Sequence, residues 1–226
     1  MKYFLDSAII EEIKEAYNTF GIDGVTTNPR HIQTSGKPFL KVIKEISDWA
    51  KSEGLEGLDK FPISVEINPH LNDADEMITE ARKIAAMSTN FVIKIPSTPA
   101  GITAARKLEK EGIRTNVTLV FSSAQAILPA KNHALFVSPF IGWKEANGED
   151  CKEYIQNIVK MYNNFGFKTE IICAAVRTPK QIVDCFVSGA HIITAGLAVY
   201  KDCIDHPFTN KGLDIFTNAW DNTITE

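Results

Sequence analysis

Apolar residues follow two patterns along the chain, short runs rich in β-branched and aromatic residues and longer stretches in which apolar residues recur every three or four positions. The short runs predict strands, and the longer period predicts amphipathic helices. Eight strands are predicted, at Tyr3–Leu5, Gly24–Thr27, Ile63–Ile67, Phe91–Ile95, Asn116–Val120, Leu135–Pro139, Glu170–Ala175 and His191–Thr194. Helical stretches between them include Ile9–Phe20, Pro38–Lys51, Asp73–Met87, Ala100–Lys110 and Lys152–Phe165.

Strands that alternate with helices are typical of a parallel sheet, because each parallel connection must cross back over the sheet. Eight such units predict a closed (β/α)8 barrel, the TIM barrel, and 226 residues is a usual length for one such domain. We therefore expect a single α/β domain over residues 1–226. A last amphipathic segment, at about residues 207–222, predicts an extra C-terminal helix that packs on a neighbouring subunit of a homo-oligomer. Its apolar side comprises Phe208, Leu213, Phe216 and Trp220.

Composition excludes several classes of partner. A formal net charge of -4 and a pI near 5.8 give no field that would attract polyanions, so nucleic acid is not an expected partner. Any anionic ligand must then be held by a few local cations. The N-terminal sequence has no apolar stretch of signal-peptide length, and no 18-residue apolar run occurs anywhere, which predicts a cytoplasmic protein without membrane association.

The chain shows no pattern of metal or cofactor ligands. Cys151, Cys173, Cys185 and Cys203 lack the spacing of a zinc site, so we expect reduced thiols, with Cys173 in a strand core. No His/Asp cluster of ligand type is present in the sequence, and neither a metal nor another cofactor is expected.

Lys94 is the first candidate for chemistry. Active sites of such barrels lie at the C-terminal ends of the strands, so polar residues at the end of an apolar run are informative. The run here is Phe-Val-Ile-Lys-Ile-Pro, and a lysine between bulky apolar neighbours is poorly solvated, which leaves a fraction of the amine neutral and nucleophilic. The alternative is an edge-strand lysine that extends to solvent.

Further polar residues follow or end the neighbouring strands. Asp6 ends the first strand, Asn28 follows the second, Glu66 ends the third, and Asn116 and Thr118 lie on the fifth. In a barrel these side chains would converge, and acids next to a nucleophilic lysine could serve as proton donors and acceptors. The alternatives are local: Asp6 as a helix N-cap, and Asn28-Pro29 as an ordinary turn.

Six segments, in order over nearly the whole chain, contain the polar residues at the strand ends. They are Phe4-Leu5-Asp6, Gly24-Val25-Thr26-Thr27-Asn28-Pro29, Val92-Ile93-Lys94-Ile95-Pro96, Asn116-Val117-Thr118-Leu119-Val120-Phe121-Ser122, Ser138-Pro139-Phe140 and Arg177-Thr178-Pro179-Lys180-Gln181. Together they resemble the transaldolase family, in particular its short members that include fructose-6-phosphate aldolases. The TTNP and VKIP-like blocks are specific, and their joint occurrence is stronger evidence than either block alone.

The resemblance implies a Schiff-base mechanism in which Lys94 forms an imine with a ketose, Asp6 acts on the C4 hydroxyl, and Glu66 with Thr118 holds a catalytic water. It also implies a substrate-binding set for the dihydroxyacetone end, comprising Thr26, Asn28, Asn116, Ser138 and Phe140. The short aldolases carry Gln and Tyr where this chain has Glu66 and Phe140, so the pair favours transfer of the dihydroxyacetone unit over simple cleavage. A fructose-6-phosphate-type aldolase and a catalytically silent sugar-phosphate-binding barrel are the alternatives.

The chain departs from its family where the substrate's anionic tail is bound. The family usually has Arg at position 143 and a small hydroxyl residue after Asn28-Pro29, whereas this chain has Trp143 and Arg30-His31 and retains Arg177. Cationic capacity has thus moved from position 143 to position 30. A sulfonate carries one negative charge and a phosphate monoester nearly two, so a sulfonate needs less cationic charge and a different donor geometry, which Trp143 fits. An anion site formed by Arg177, Trp143 and Arg30 therefore makes 6-deoxy-6-sulfofructose a candidate donor. It would release 3-sulfolactaldehyde, with glyceraldehyde 3-phosphate as acceptor; the alternative is an ordinary fructose 6-phosphate transaldolase.

Overall fold

The computed structural model describes residues 1–224, and in it eight parallel strands close into a barrel in sequence order. The strands are β1 Lys2–Asp6, β2 Gly24–Thr26, β3 Ile63–Glu66, β4 Phe91–Pro96, β5 Thr115–Val120, β6 Phe136–Pro139, β7 Glu170–Val176 and β8 Ile192–Ala195. The helices are α1 Ile10–Phe20, α2 Pro29–Ser35, α3 Phe39–Ser52, α4 Ala74–Ala85, α5 Pro99–Lys110, α6 Ile127–Lys131, α7 Gly142–Ala146, α8 Lys152–Phe165, α9 Pro179–Val187, α10 Leu197–Asp202 and α11 Pro207–Asp221. The predictions of a (β/α)8 barrel and of an extra C-terminal helix are confirmed.

The interior of the barrel has an apolar layer beneath a polar one. The rings of Phe4 on β1 and Phe136 on β6 meet edge to face at 5.8 Å, although these strands are not neighbours, so both rings point into the barrel. They belong to a separate buried cluster that comprises Phe4, Val92, Phe136, Ile172 and Ile192. Side chains two positions further along a strand point to the same face. The next layer is therefore formed by Asp6, Lys94, Ser138, Ala174 and Thr194.

The main core lies between the outer face of the barrel and the helices. In α1, for example, Ile10, Ile13 and Ala16 recur at helical spacing and are buried against the sheet. Truncation of a fully buried residue such as Ile13 would cost about 2–5 kcal/mol, the usual range for core isoleucines.

Two strands change register at the end of the barrel that carries the polar layer. Leu119 and Ala175 adopt left-handed backbone angles, with φ of 56° and 55°, where β5 shifts against β6 and β7 against β8. Residues other than glycine rarely adopt this conformation, which costs on the order of 1–3 kcal/mol. Bulges of this kind turn the strand ends and redirect the side chains beside them.

Helix α11 has no buried residue. Its aromatic side chains are largely exposed, with Phe208 at 74%, Phe216 at 73% and Trp220 at 68%. The four residues predicted to form one apolar side are thus mostly uncovered by the described part of the chain.

Two further sequence expectations concern cysteines and membrane association. All four cysteines are free, and Cys173 is fully buried on β7, as predicted. Over the part of the chain that the structure describes, no helix combines the length and the apolar character needed to cross a membrane.

Candidate active site

A cavity of about 590 Å³ opens at the C-terminal ends of the strands. Ten of the twelve residues predicted from the sequence line it, and the exceptions are Asn116 and Thr118. The ten are Asp6, Thr26, Asn28, Arg30, Glu66, Lys94, Ser138, Phe140, Trp143 and Arg177. Side chains from five strands, and from the segments that follow β2, β6 and β7, therefore meet in one place, as a barrel predicts.

Lys94 lies on β4 with its side chain inside the barrel. It is 4% exposed, and strand register places it directly beside Glu66 on one neighbour and Asn116 on the other. Its Nζ is 3.2 Å from Glu66 Oε2 and donates to the carbonyl oxygen of Thr27 at 3.1 Å. A closed barrel has no edge strand, so the alternative of a solvated edge-strand lysine is wrong.

Asp6 ends β1 and also lines the cavity. Thr26 Oγ1 donates to Asp6 Oδ1 at 2.8 Å, and Nε2 of His31 lies 3.2 Å from Asp6 Oδ2. Burial alone would raise the pKa of Asp6, but the hydrogen bond and charge of His31, then the charge of Lys94 and the hydrogen bond of Thr26, hold this pKa below its usual value. Asp6 is not a helix cap, because α1 begins at Ile10 with Ile9 in the capping position.

A chain of buried hydrogen bonds supports the floor of the cavity. Ser138 Oγ donates to Asn116 Oδ1 at 2.7 Å, and Asn116 Nδ2 donates to Ser64 Oγ at 3.1 Å. Asn116 is fully buried, so it orients Ser138 and does not itself line the cavity.

Thr118 lies two residues beyond Asn116 and points to the same face of β5. It is fully buried, and its Oγ1 has no hydrogen-bond partner within residues 1–224. A buried hydroxyl without a partner is costly and rare in native structures, which makes Thr118 Oγ1 a polar group available to a bound water or substrate.

Asn28 has a structural role beside any role in binding. Its Oδ1 accepts from the backbone N–H of His31 at 3.0 Å and caps α2, in which Pro29 is the first residue. The cap fixes the loop after β2 at the mouth of the cavity, where Asn28 itself is part of the lining.

All three predicted anion-binding residues line the mouth of the cavity, but only Trp143 and Arg177 lie on neighbouring elements, after β6 and β7, whereas Arg30 follows β2. Trp143 is half exposed, its ring 5.8 Å from Phe121 and 5.4 Å from Phe140. A Cβ on Gly142 would lie 2.2 Å from the carbonyl oxygen of Ala175 and 3.4 Å from the side-chain carbons of Arg177, so this close approach requires glycine.

The two arginines of this group keep their charge available. The ion pairs that line the cavity are Asp6–His31 and Glu66–Lys94, and within the described residues neither Arg30 nor Arg177 has a carboxylate partner. Two guanidinium groups and one indole N–H can thus serve an anionic ligand.

A smaller side cavity of about 340 Å³ shares Asn28, Pro29 and Glu66 with the main one. Its remaining lining is mostly apolar, with Ile32 and Phe39 among it, and it contains no lysine or arginine. An anion would have no cationic partner there among the described residues.

Sequence reasoning assigned no role to seven residues of the main cavity, which are Pro29, His31, Leu119, Ala174, Ala175, Val176 and Thr194. His31 was visible in the unusual Arg30-His31 pair, but only Arg30 was assigned a role. Thr194 could have been found from its position two residues after the apolar Ile192 on β8. Leu119 and Ala175 line the cavity through backbone geometry that no residue type signals.

No group of three or more His, Cys, Asp or Glu side chains in residues 1–224 is arranged to hold a metal ion. The cavity instead offers an amine, two carboxylates, an imidazole and two guanidinium groups. Such a set can form an imine, move protons and bind an anion.

Comparison with known proteins gives a family with the same chemistry. The profile described as Transaldolase/Fructose-6-phosphate aldolase matches residues 3–225. The chain belongs to this family. Proteins of Priestia aryabhattai and Priestia megaterium named 6-deoxy-6-sulfo-D-fructose transaldolase are each 59% identical to it over 226 residues, which covers 100% of this chain and 98% of theirs.

Among solved structures, the fold of this family member resembles that of a fructose-1,6-biphosphate aldolase candidate from Coccidioides immitis. The TM-score is 0.60 at 13% identity, and the match covers 92% of this chain and 81% of the other. At this identity the likeness concerns the barrel fold.

Proposed function

We propose that this chain is a Schiff-base transaldolase that transfers a dihydroxyacetone unit from 6-deoxy-6-sulfofructose to an aldehyde such as glyceraldehyde 3-phosphate. The observation that carries the proposal is Lys94, the one lysine among the described residues that lines the main cavity, with its Nζ 3.2 Å from the carboxylate of Glu66. Membership in the transaldolase family and 59% identity to proteins named for this donor support it.

In the first step the neutral amine of Lys94 attacks C2 of the ketose, and the resulting carbinolamine loses water to give an iminium ion. Glu66, whose carboxylate lies 3.2 Å from Nζ, takes a proton from the amine and returns one to the departing hydroxyl. The Thr118 hydroxyl, which has no hydrogen-bond partner among residues 1–224, holds the water involved.

In the second step Asp6 takes the proton of the C4 hydroxyl. The C3–C4 bond breaks, its electron pair moves toward the iminium nitrogen to form an enamine, and C4 leaves as the aldehyde, here 3-sulfolactaldehyde. The acceptor aldehyde then enters, the enamine carbon attacks it to give a product iminium ion, and Asp6 returns its proton to the new alkoxide. Water adds to this iminium ion, the C–N bond breaks, and the new ketose leaves as the amine of Lys94 is restored. Phe140 lines the cavity and has no proton to give, so it leaves the enamine intact until the acceptor binds.

The tail of the donor is bound by Arg177, Arg30 and the indole N–H of Trp143. One indole donor and two arginines at an open mouth suit a monoanionic sulfonate with three equivalent oxygens. Thr26, Asn28, Asn116 and Ser138 bind or support the dihydroxyacetone end.

We further propose that the enzyme is a homo-oligomer in which a second copy covers α11. Support comes from its exposed aromatic residues, since a contiguous apolar face of this kind on a water-exposed helix marks an interaction surface.

Trapping of the imine tests the assignment of Lys94. Borohydride reduction in the presence of donor should attach the substrate to the peptide that contains Lys94. Lys94→Arg, which keeps the charge but cannot form the imine, should trap nothing and lose turnover. Turnover by Lys94→Arg near the wild-type rate would rule out the mechanism.

A donor and acceptor comparison tests the substrate and the reaction class. With sulfofructose and glyceraldehyde 3-phosphate, 3-sulfolactaldehyde should form only when the acceptor is present, and kcat/KM should exceed that for fructose 6-phosphate. Rapid accumulation of dihydroxyacetone without acceptor would identify an aldolase instead, and a preference for fructose 6-phosphate would identify an ordinary transaldolase.

A further inference from the structure

Asp6 is held from both sides of its carboxylate. Oδ1 accepts from Thr26 Oγ1, and this hydroxyl is in turn 2.6 Å from Thr194 Oγ1, which donates to it in this arrangement. Oδ2 lies 3.2 Å from Nε2 of His31. Two partners on two oxygens fix the plane of a carboxylate, which a single partner would leave free to rotate.

The position of His31 is itself fixed by the loop after β2. Asn28 caps α2 through the backbone N–H of His31, and Pro29 presets the first helical turn. The imidazole is 28% exposed and lies over Asp6, which is 21% exposed. His31 is therefore placed by the backbone on the same side of the cavity as Asp6.

We propose that His31 is a positioning residue for Asp6: its Nε2–H, together with the Thr26 hydroxyl, keeps the carboxylate ionised and directs its free lone pairs toward the C4 hydroxyl of the donor. The inference rests on the proposed function, in which Asp6 accepts that proton. His31 acts on the reaction through Asp6 and has no contact with the bond that breaks.

The electrostatics of Asp6 agree with this geometry. Burial opposes ionisation, and the hydrogen bond and charge of His31 are the largest effects that counter it, so the pKa of Asp6 lies below its usual value. Removal of His31 raises this pKa, because the effect of burial then remains with less to oppose it. A base with a raised pKa becomes protonated, and inactive, at a higher pH.

Other charged or titratable groups face the same space from other elements. They are Glu66 on β3, Lys94 on β4, Arg30 on α2, Arg177 after β7 and Tyr200 on α10. All of them stay unchanged when His31 alone is replaced. A shift between wild type and a His31 variant therefore reports the loss of the imidazole.

The experiment is the pH profile of kcat/KM for sulfofructose in wild type and three variants. His31→Gln keeps an N–H that reaches Asp6, whereas His31→Asn is also an amide but too short, and His31→Ala removes the donor. In the His31→Ala and His31→Asn variants, the acid limb of the kcat/KM profile should move to higher pH by about one to two units, the range for one hydrogen bond to a charged group. In the His31→Gln variant, the acid limb should lie close to its wild-type position. In the double variant Asp6→Asn/His31→Ala, the second change should add little to the first.

Two outcomes overturn the proposal. An equal loss of rate at every pH would make His31 a packing residue, and a raised KM with an unshifted limb would make it a ligand of the sulfonate. If the His31→Ala variant fails to fold, the comparison of His31→Gln with His31→Asn still tests whether an N–H that reaches Asp6 sets the position of the acid limb. Failure of the proposed function is distinct: wild type would then show no acceptor-dependent transfer, or Asp6→Asn would remain active.

Discussion

Trp143 and Arg177 lie on the same side of the cavity mouth, but Trp143 offers a neutral N–H donor whereas Arg177 is charged. The Trp143 ring packs on Phe121 and Phe140 yet is half exposed, so its N–H can reach a ligand while its ring is held by aromatic neighbours. Arg177 supplies a full charge and several donors. Donor selectivity should therefore depend on position 143 more than on position 177.

Replacement of Trp143 by arginine should favour the phosphate donor over the sulfonate. An added charge helps the dianion more, and the loss of the indole contact penalises the sulfonate. We expect the ratio of kcat/KM for sulfofructose to that for fructose 6-phosphate to fall by an amount equivalent to roughly 1–3 kcal/mol. Trp143→Phe is the control, since it keeps a ring without adding charge. An unchanged ratio in Trp143→Arg would show that this residue only packs.

Asp6, Glu66 and Lys94 were predictable because the barrel fold converts a position in the sequence into a position in space: a polar residue that ends an apolar strand must reach the C-terminal end of the barrel. Thr26, Ser138 and Phe140 were instead implied by the resemblance to the transaldolase family. The contact between His31 and Asp6 was not predictable, because it depends on where the short helix α2 lies relative to β1. The burial of Asn116 against Ser138 was not predictable either, because it depends on how deep the polar layer extends into the barrel.

At the scale of elements, the loop from β6 to α7 is held close to the end of β7. Gly142 allows this approach, because any side chain would overlap the carbonyl of Ala175. The contact sets the distance between Trp143, which follows Gly142, and Arg177.

Gly142→Ala should therefore weaken donor binding through a residue that touches no substrate. The new methyl group forces α7 away from β7, which should raise KM for the donor and lower the free energy of unfolding by about 1–3 kcal/mol, as overpacking does. Kinetics and chemical denaturation measure the two effects. The control is Gly212→Ala in α11, where a Cβ meets nothing within 4 Å. This change should neither raise KM nor lower the free energy of unfolding. An unaltered KM in Gly142→Ala would contradict the role of this contact.

The long helices and all eight strands followed from periodicity, but the short helices did not. α2, α7 and α10 have seven, five and six residues, fewer than two helical turns, so no apolar period can show. Leu119 and Ala175 gave no signal either, because left-handed backbone at a non-glycine residue is imposed by the tertiary structure.

Helix α11 should determine the oligomeric state. A triple substitution, Phe208→Ser, Phe216→Ser and Trp220→Ser, should lower the mass of the particle in light scattering while the barrel stays folded by circular dichroism. The matched control substitutes Asn210, Lys211 and Asn218 by serine on the same helix. If wild type is a monomer, or if the aromatic variant keeps the wild-type mass, then α11 is not the interface.

For the whole molecule, the closed barrel removes all strand edges and places a charged pair in its interior. Lys94 and Glu66 have 5% and 14% of their side chains exposed, and a pair this buried loses most of its hydration. Such a pair contributes little net stability compared with apolar side chains of similar size. Removal of one partner is costly, because the other charge is left without compensation. The free energy needed to keep the Lys94–Glu66 pair buried is therefore supplied by the packing of the surrounding barrel.

A double-mutant cycle on this pair measures that cost. Lys94→Met should lower the free energy of unfolding by about 1–3 kcal/mol, less than for a fully dry pair because the cavity opens to water. Glu66→Gln alone should also destabilise. The double variant should recover much of both losses, since neither charge is then left unpaired, and the coupling energy should be at least about 1 kcal/mol. The free energies of unfolding are measured by urea denaturation at neutral pH. The control is the same cycle on an exposed helical pair, with Lys44→Met, Asp48→Asn and their double variant. Its coupling energy should be about 0.5 kcal/mol or less. Additive effects of Lys94→Met and Glu66→Gln would mean that the two groups do not stabilise one another in the folded barrel.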